Sequence, residues 1–81
     1  DTYAWILFEK GKYAEARLYI DDAMKNDGGK SDVIVEHCGD IYYMTGDVDK
    51  ALEYWNQALK IGSKSRTLQE KIRKKKYISD K

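Results

Sequence analysis

Proline is missing from all 81 residues, and histidine and cysteine occur once each, as His37 and Cys38. Without proline nothing removes a backbone N–H or kinks a helix from within, so uninterrupted helices are permitted along the whole chain. A single cysteine cannot close an intramolecular disulfide, and stability has to come from packing. Long apolar runs are lacking as well. The stretch from Tyr3 to Phe8 falls far short of the roughly 20 residues that cross a bilayer, so no transmembrane segment is expected, and no signal-peptide pattern opens the chain. At 9.4 kDa there is room for one modest core. That size disfavours a self-contained catalyst, and neither catalysis nor a cofactor is expected.

What the chain does have is 42% hydrophobic and 36% charged residues, with seven tyrosines and two tryptophans. This is the composition of an ordered domain and not of a disordered tail. The formal charge of +1 conceals an asymmetry: residues 60–81 carry nine Lys/Arg against two acids, and residues 1–59 carry six against twelve. The split reads either as a tail that binds anions or as two faces of one molecule that hold each other.

Shifting the chain against itself by 35 residues pairs Gly11 with Gly46, Ala16 with Ala51, Tyr19 with Tyr54, Ala23 with Ala58 and Lys25 with Lys60. Small residues in phase at such a shift are what stacked helical hairpins need, because close helix crossings require Gly or Ala at fixed positions. Helical stripes agree: Tyr3, Ala4, Leu7 and Phe8 form one, and Tyr13, Ala16, Ile20, Ala23 and Met24 a second, with Gly11 as the turn between. Asp27-Gly28-Gly29-Lys30-Ser31 ends the second helix by a glycine cap, and Ser31 or Asp32 can cap a third, whose buried face is Val35, Cys38, Gly39 and Tyr42. Thr45-Gly46 ends it. Asp47 should cap a fourth helix running to about Ile61, with Leu52, Trp55, Ala58 and Leu59 inside. A fifth follows Gly62, with Leu68 and Ile72 on its buried side and Thr67/Glu70 as a capping box.

These residues resemble the tetratricopeptide repeat, whose signature runs W-x2-L-G-x2-Y, A-x3-F, then P. Val35-x2-Cys38-Gly39-x2-Tyr42 and Ala51-x3-Trp55 carry the likeness, Ala58 follows in place, and Ser63 stands where proline is usual. Ala4-x2-Leu7 and Ala16-x3-Ile20 carry a looser first copy, whose opening residue would precede Asp1, as in a piece cut from a longer protein. The resemblance implies an all-α helical repeat, an α-solenoid of two antiparallel helix hairpins plus a C-terminal capping helix. Its divisions would be a truncated first repeat at 1–29, a second at 31–62 and the cap at 63–78. Asp1-Thr2-Tyr3-Ala4-Trp5, His37-Cys38-Gly39-Asp40 and Tyr54-Trp55 are similar to the last repeats of long bacterial members, many of them exported to the cell envelope.

Candidate chemistry is sparse. His37 and Asp40 share a helix face at i, i+3, yet two ligands do not make a metal site, and Cys38 at a core position should be buried and inert. Gly28-Gly29-Lys30-Ser31 lacks the spacing of a phosphate loop and any preceding strand.

The family resemblance implies instead a concave surface built from the first helix of each hairpin. Here the positions facing it are Trp5, Phe8 and Glu9, then Val33, Glu36, His37, Asp40, Tyr43 and Met44. Glu36 and Asp40 argue against a carboxylate clamp, and acids beside aromatics favour a cationic or mixed peptide as partner. The reading is a non-catalytic protein–protein interaction or assembly module. The alternative is anion binding, to nucleic acid or a membrane surface, through Lys71, Arg73, Lys74, Lys75 and Lys76. Nucleic acid is disfavoured because no aromatic interleaves these charges and the remainder of the chain is acidic. Exposed surface around Tyr3 and Leu7 would let the piece self-associate.

Overall fold

The computed structural model describes residues 2–26 and 28–78. Among them lie five α-helices and no strand: α1 (Thr2–Glu9), α2 (Tyr13–Lys25), α3 (Asp32–Met44), α4 (Val48–Ile61) and α5 (Arg66–Lys74), with a 3-10 turn at Gly28–Lys30. Successive helices pack on one another, α1 on α2, α2 on α3, α3 on α4 and α4 on α5, so the chain is two hairpins and a closing helix.

The turns follow from local chemistry. Gly11, Gly46 and Gly62 all take positive φ, the left-handed region open to glycine, where the chain leaves a helix. The Ser31 side chain accepts from the Ile34 N–H at 3.4 Å, and Asp47 caps α4 through the Lys50 N–H at 3.2 Å. Two local expectations fail. The α2 C-cap is Asn26, at φ −106°, and not one of the glycines after it; Asp27 lies outside the described residues. The cap of α5 is Ser65, whose Oγ accepts from the Leu68 N–H at 3.2 Å, two positions before the Thr67/Glu70 box. Glu70 pairs forward instead, with Arg73 at 2.7 Å and Lys74 at 3.4 Å.

The core joins Ala4, Leu7 and Phe8 of α1, Ala16 and Ile20 of α2, Val35, Cys38, Ile41 and Tyr42 of α3, Ala51, Trp55 and Ala58 of α4, and Leu68 of α5. Gly39 of α3 packs tightly against Ala51 and Trp55 of α4. A Cβ added there would sit less than 3.0 Å from the Trp55 indole and 3.1 Å from the Ala51 carbonyl oxygen. The α3–α4 contact therefore depends on this position carrying no side chain.

Several stripe residues lie elsewhere than the periodicity placed them. Tyr3 is 52% exposed, its ring edge-on to Tyr19, whereas Leu7 is buried and offers nothing to a partner. Leu59 also faces outward, beyond the contact between α4 and α3.

Candidate partner-binding cleft

The first helices of the two hairpins, α1 and α3, form one wall system with α5 and the residues after it. Between them is a cleft of about 350 Å³. From α1 it receives Trp5 and Glu9, from α3 Val33, Glu36, His37 and Asp40, from the α5 region Ser65 and Lys71, and from the following segment Tyr77 and Ile78. Of the residues expected on the concave side, Phe8, Tyr43 and Met44 do not line it. Phe8 is buried beneath Trp5, Tyr43 stacks on Trp55 at 5.9 Å, and Met44 is exposed at the end of α3.

The aromatic part is a run of parallel rings. The Trp5 indole lies on Phe8 with centroids 4.6 Å apart and 10° between planes, and on His37 at 3.8 Å and 12°. Stacking at such distances comes from i, i+3 placement of Trp5 and Phe8 on α1 and from the approach of α3 alongside. Trp5 and His37 are half-buried and keep surface toward the cleft.

The acidic part is not what the sequence implies. Lys71 Nζ donates to Glu36 Oε2 and to Asp40 Oδ1, both at 2.8 Å, and the Trp55 indole N–H donates to the same Asp40 oxygen at 3.0 Å. Lys71 is 2% exposed and Asp40 1%. Its ammonium also lies over the Tyr77 ring at 5.2 Å and the Trp55 ring at 6.0 Å, both within cation–π range. Lys71 therefore does not belong to a solvent-facing basic surface. The other members of that run, Arg73, Lys74, Lys75 and Lys76, are exposed, and the first two are tied to Glu70.

Burial pushes the Asp40 carboxyl up to about 7; Lys71 and the Trp55 N–H act against the rise, and Glu36 adds to it. For Lys71 burial opposes the charge, but Asp40 and Glu36 more than compensate and its pKa is raised. Two carboxylates share one ammonium, so the second charge is the one the site cannot hold easily. Cys38, as expected of a core position, is fully buried, and burial pushes its thiol up to about 12, far from a reactive thiolate.

A second polar contact ties the hairpins together on the opposite side of α3. Tyr42 donates to Asp21 Oδ1 of α2 at 2.6 Å, with the Arg17 guanidinium 4.3 Å over its ring. A broader hollow along α4, reaching Leu52 and Leu59, is walled by that helix alone and encloses nothing.

The sequence carried a signal for the buried lysine that composition masks. Leu68, Lys71 and Ile72 stand at i, i+3, i+4, so Lys71 occupies the middle of the buried stripe of α5, and Glu36 and Asp40 at i, i+4 present one acidic face opposite. Reading the basic run as a block hid this pairing.

Two family models, each described as tetratricopeptide repeat, match the chain, one over residues 36–65 and the other over 2–22. The matches cover more than half the chain and fall on the two hairpins just described. The chain belongs to the tetratricopeptide repeat family. No curated protein and no solved structure matches it. Tetratricopeptide repeats generally mediate protein–protein interaction.

Proposed function

We propose that this tetratricopeptide repeat chain is a non-catalytic interaction or assembly module that receives a partner segment along the cleft between α1, α3 and α5. The observation that carries the reading is the half-buried Trp5 indole, stacked on His37 at 3.8 Å and turned to a cleft of about 350 Å³. A flat aromatic shelf in a concavity offers large contact area at small entropic cost. The charge preference is mildly cationic. Lys71 neutralises one of the two carboxylates of Glu36 and Asp40, and Glu9 adds a further exposed acid at the rim.

A backbone chemical-shift titration with short cationic, anionic and C-terminal-carboxylate peptides tests this. Cationic peptides should move the resonances of Trp5, Glu9, Val33 and His37 and leave α4 unmoved. Shifts absent from these residues, or equal for all peptide charges, would count against it.

The alternative, anion binding, is supported by the exposed Lys75 and Lys76 but loses Lys71. Oligonucleotide binding centred on Arg73 to Lys76 and fading steeply with salt would favour it. Self-association has its support in Tyr3, Ile6, Leu18 and Tyr19, all exposed apolar side chains of the first hairpin, with Leu18 at 71%. Sedimentation over a range of concentrations tests that arm, and a monomer at the highest concentration would sink it.

A further inference from the structure

The cleft is not empty of ligand-like groups: its own C-terminal element reaches into it. After α5 the chain reverses at Lys75, which holds a left-handed conformation at φ 56°, a region costly for a residue with a Cβ. The Lys76 N–H bonds back to the Lys71 carbonyl at 3.2 Å, and the reversal brings Tyr77 edge-on to Phe8 of α1, with centroids 5.3 Å apart. The segment thus spans from α5 to α1 across the concave side. Lys71 fills the acidic part of the cleft and Tyr77 borders the aromatic part.

We propose that Lys71 and Tyr77 are an internal ligand of the concave cleft, and that a partner segment carrying a lysine with an aromatic residue six positions later competes for the same places. The proposal rests on the partner-binding reading above and names the partner's chemistry. Its support is complementarity of charge and shape. An ammonium sits between Glu36 and Asp40 at 2.8 Å from each, under two aromatic rings, and a tyrosine lies against the α1 aromatic cluster.

Release of α5 has to break the Leu68 and Lys71 anchors, and a partner lysine that takes the place between Glu36 and Asp40 restores the second of them. The contact of α5 with α4 is the smallest between successive helices of the stack, and the link that precedes α5, Gly62 to Ser65, begins with a left-handed glycine. A partner would have to outcompete a tethered segment, so the observed affinity of the whole chain is lowered by the fraction of time the cleft is open.

The test uses the full chain and a fluorescent synthetic peptide of residues 63–78, together with the same peptide carrying norleucine in place of its lysine at 71. Norleucine keeps the chain length and removes the charge. Receptors are the unaltered chain, the Tyr77→Ala chain and, should that one fold poorly, the gentler Tyr77→Leu chain, which keeps apolar bulk but removes the ring that meets Phe8.

The lysine peptide is expected to bind the variants at least about tenfold more tightly than the unaltered chain. It should exceed the norleucine peptide on each receptor by about tenfold, as befits a charge-assisted contact. Equal affinity for unaltered and variant chains, with Trp5 and His37 still shifting, would overturn the internal-ligand proposal and leave the cleft reading intact. Equal affinity for lysine and norleucine peptides would overturn the role of the acidic pair. No binding to any receptor and no shift with any cationic peptide would remove both readings. Dimerisation of the Tyr77→Ala chain without peptide would mean that a second copy of α5 takes the place, against the proposal.

Discussion

A lysine held at 2% exposure between two carboxylates behaves unlike its neighbours a turn away. Lys71→Met removes the cation that, among the described residues, lies within hydrogen-bond distance of Glu36 and Asp40, and leaves two buried acids facing each other, a loss of about 3–5 kcal/mol. Lys75→Met, on the exposed side, should stay within about 0.5 kcal/mol, and chemical denaturation of both variants makes the comparison. The same cluster sets a pH dependence. Asp40 titrates near 7 when folded against 3.8 as its ordinary value, so the folded chain holds a proton that the unfolded chain releases. Stability from this group is complete below about pH 4, declines as pH rises toward 7 and is flat beyond. Thermal melts from pH 4 to 8 should fall through that window. Asp40→Asn, which keeps an acceptor for the Trp55 indole, should flatten the fall. Gly39→Ala is the complementary packing experiment: its methyl would strike the Trp55 ring and lie tight against backbone at Ala51, for a loss of about 1–3 kcal/mol.

At the scale of elements, α5 is held by Leu68 and Lys71 together, one apolar anchor and one ionic, with Ile72 half-buried beside them. Deleting residues 64–81 would uncover Trp55 and strand Glu36 and Asp40, so the shortened chain should melt at lower temperature or aggregate. An unchanged melting temperature would show that the two hairpins stand alone. Ser65→Ala is a gentler probe of the same helix and should cost about 1 kcal/mol through the lost N-cap. The helices themselves were legible from sequence because their signals are local: Gly46 and Gly62 stop them, Asp47 starts one, and Ala16, Ala51 and Ala58 repeat in phase. The ion cluster was less so. It joins positions 31 and 35 residues apart, so the stripe of Leu68, Lys71 and Ile72 marks the lysine as inward-facing while nothing local names the acids it meets. Tyr77 was missed for a related reason, since a left-handed turn at a non-glycine residue such as Lys75 leaves no mark in composition.

For the whole molecule, the charge asymmetry between the two ends is satisfied partly within the chain. Lys71 of the basic end answers the acids of α3, and Glu70 answers Arg73 and Lys74 locally. On the proposed reading, the surface offered to a partner is the aromatic cleft beside Trp5 and His37, with the exposed Lys75 and Lys76 on another side. High salt should therefore change cationic-peptide binding only mildly, because most of its area is aromatic, and a steep salt slope in a binding isotherm would instead point to the lysines. The chain has two indoles, and the fold assigns them different surroundings: Trp55 is sealed in the core, while Trp5 stands at the cleft beside His37. Their fluorescence is consequently a pair of separate gauges. Acrylamide should quench Trp5 and spare Trp55, a docked segment should shield Trp5, and a red shift of the sealed indole should appear only when α5 leaves it or the hairpins come apart.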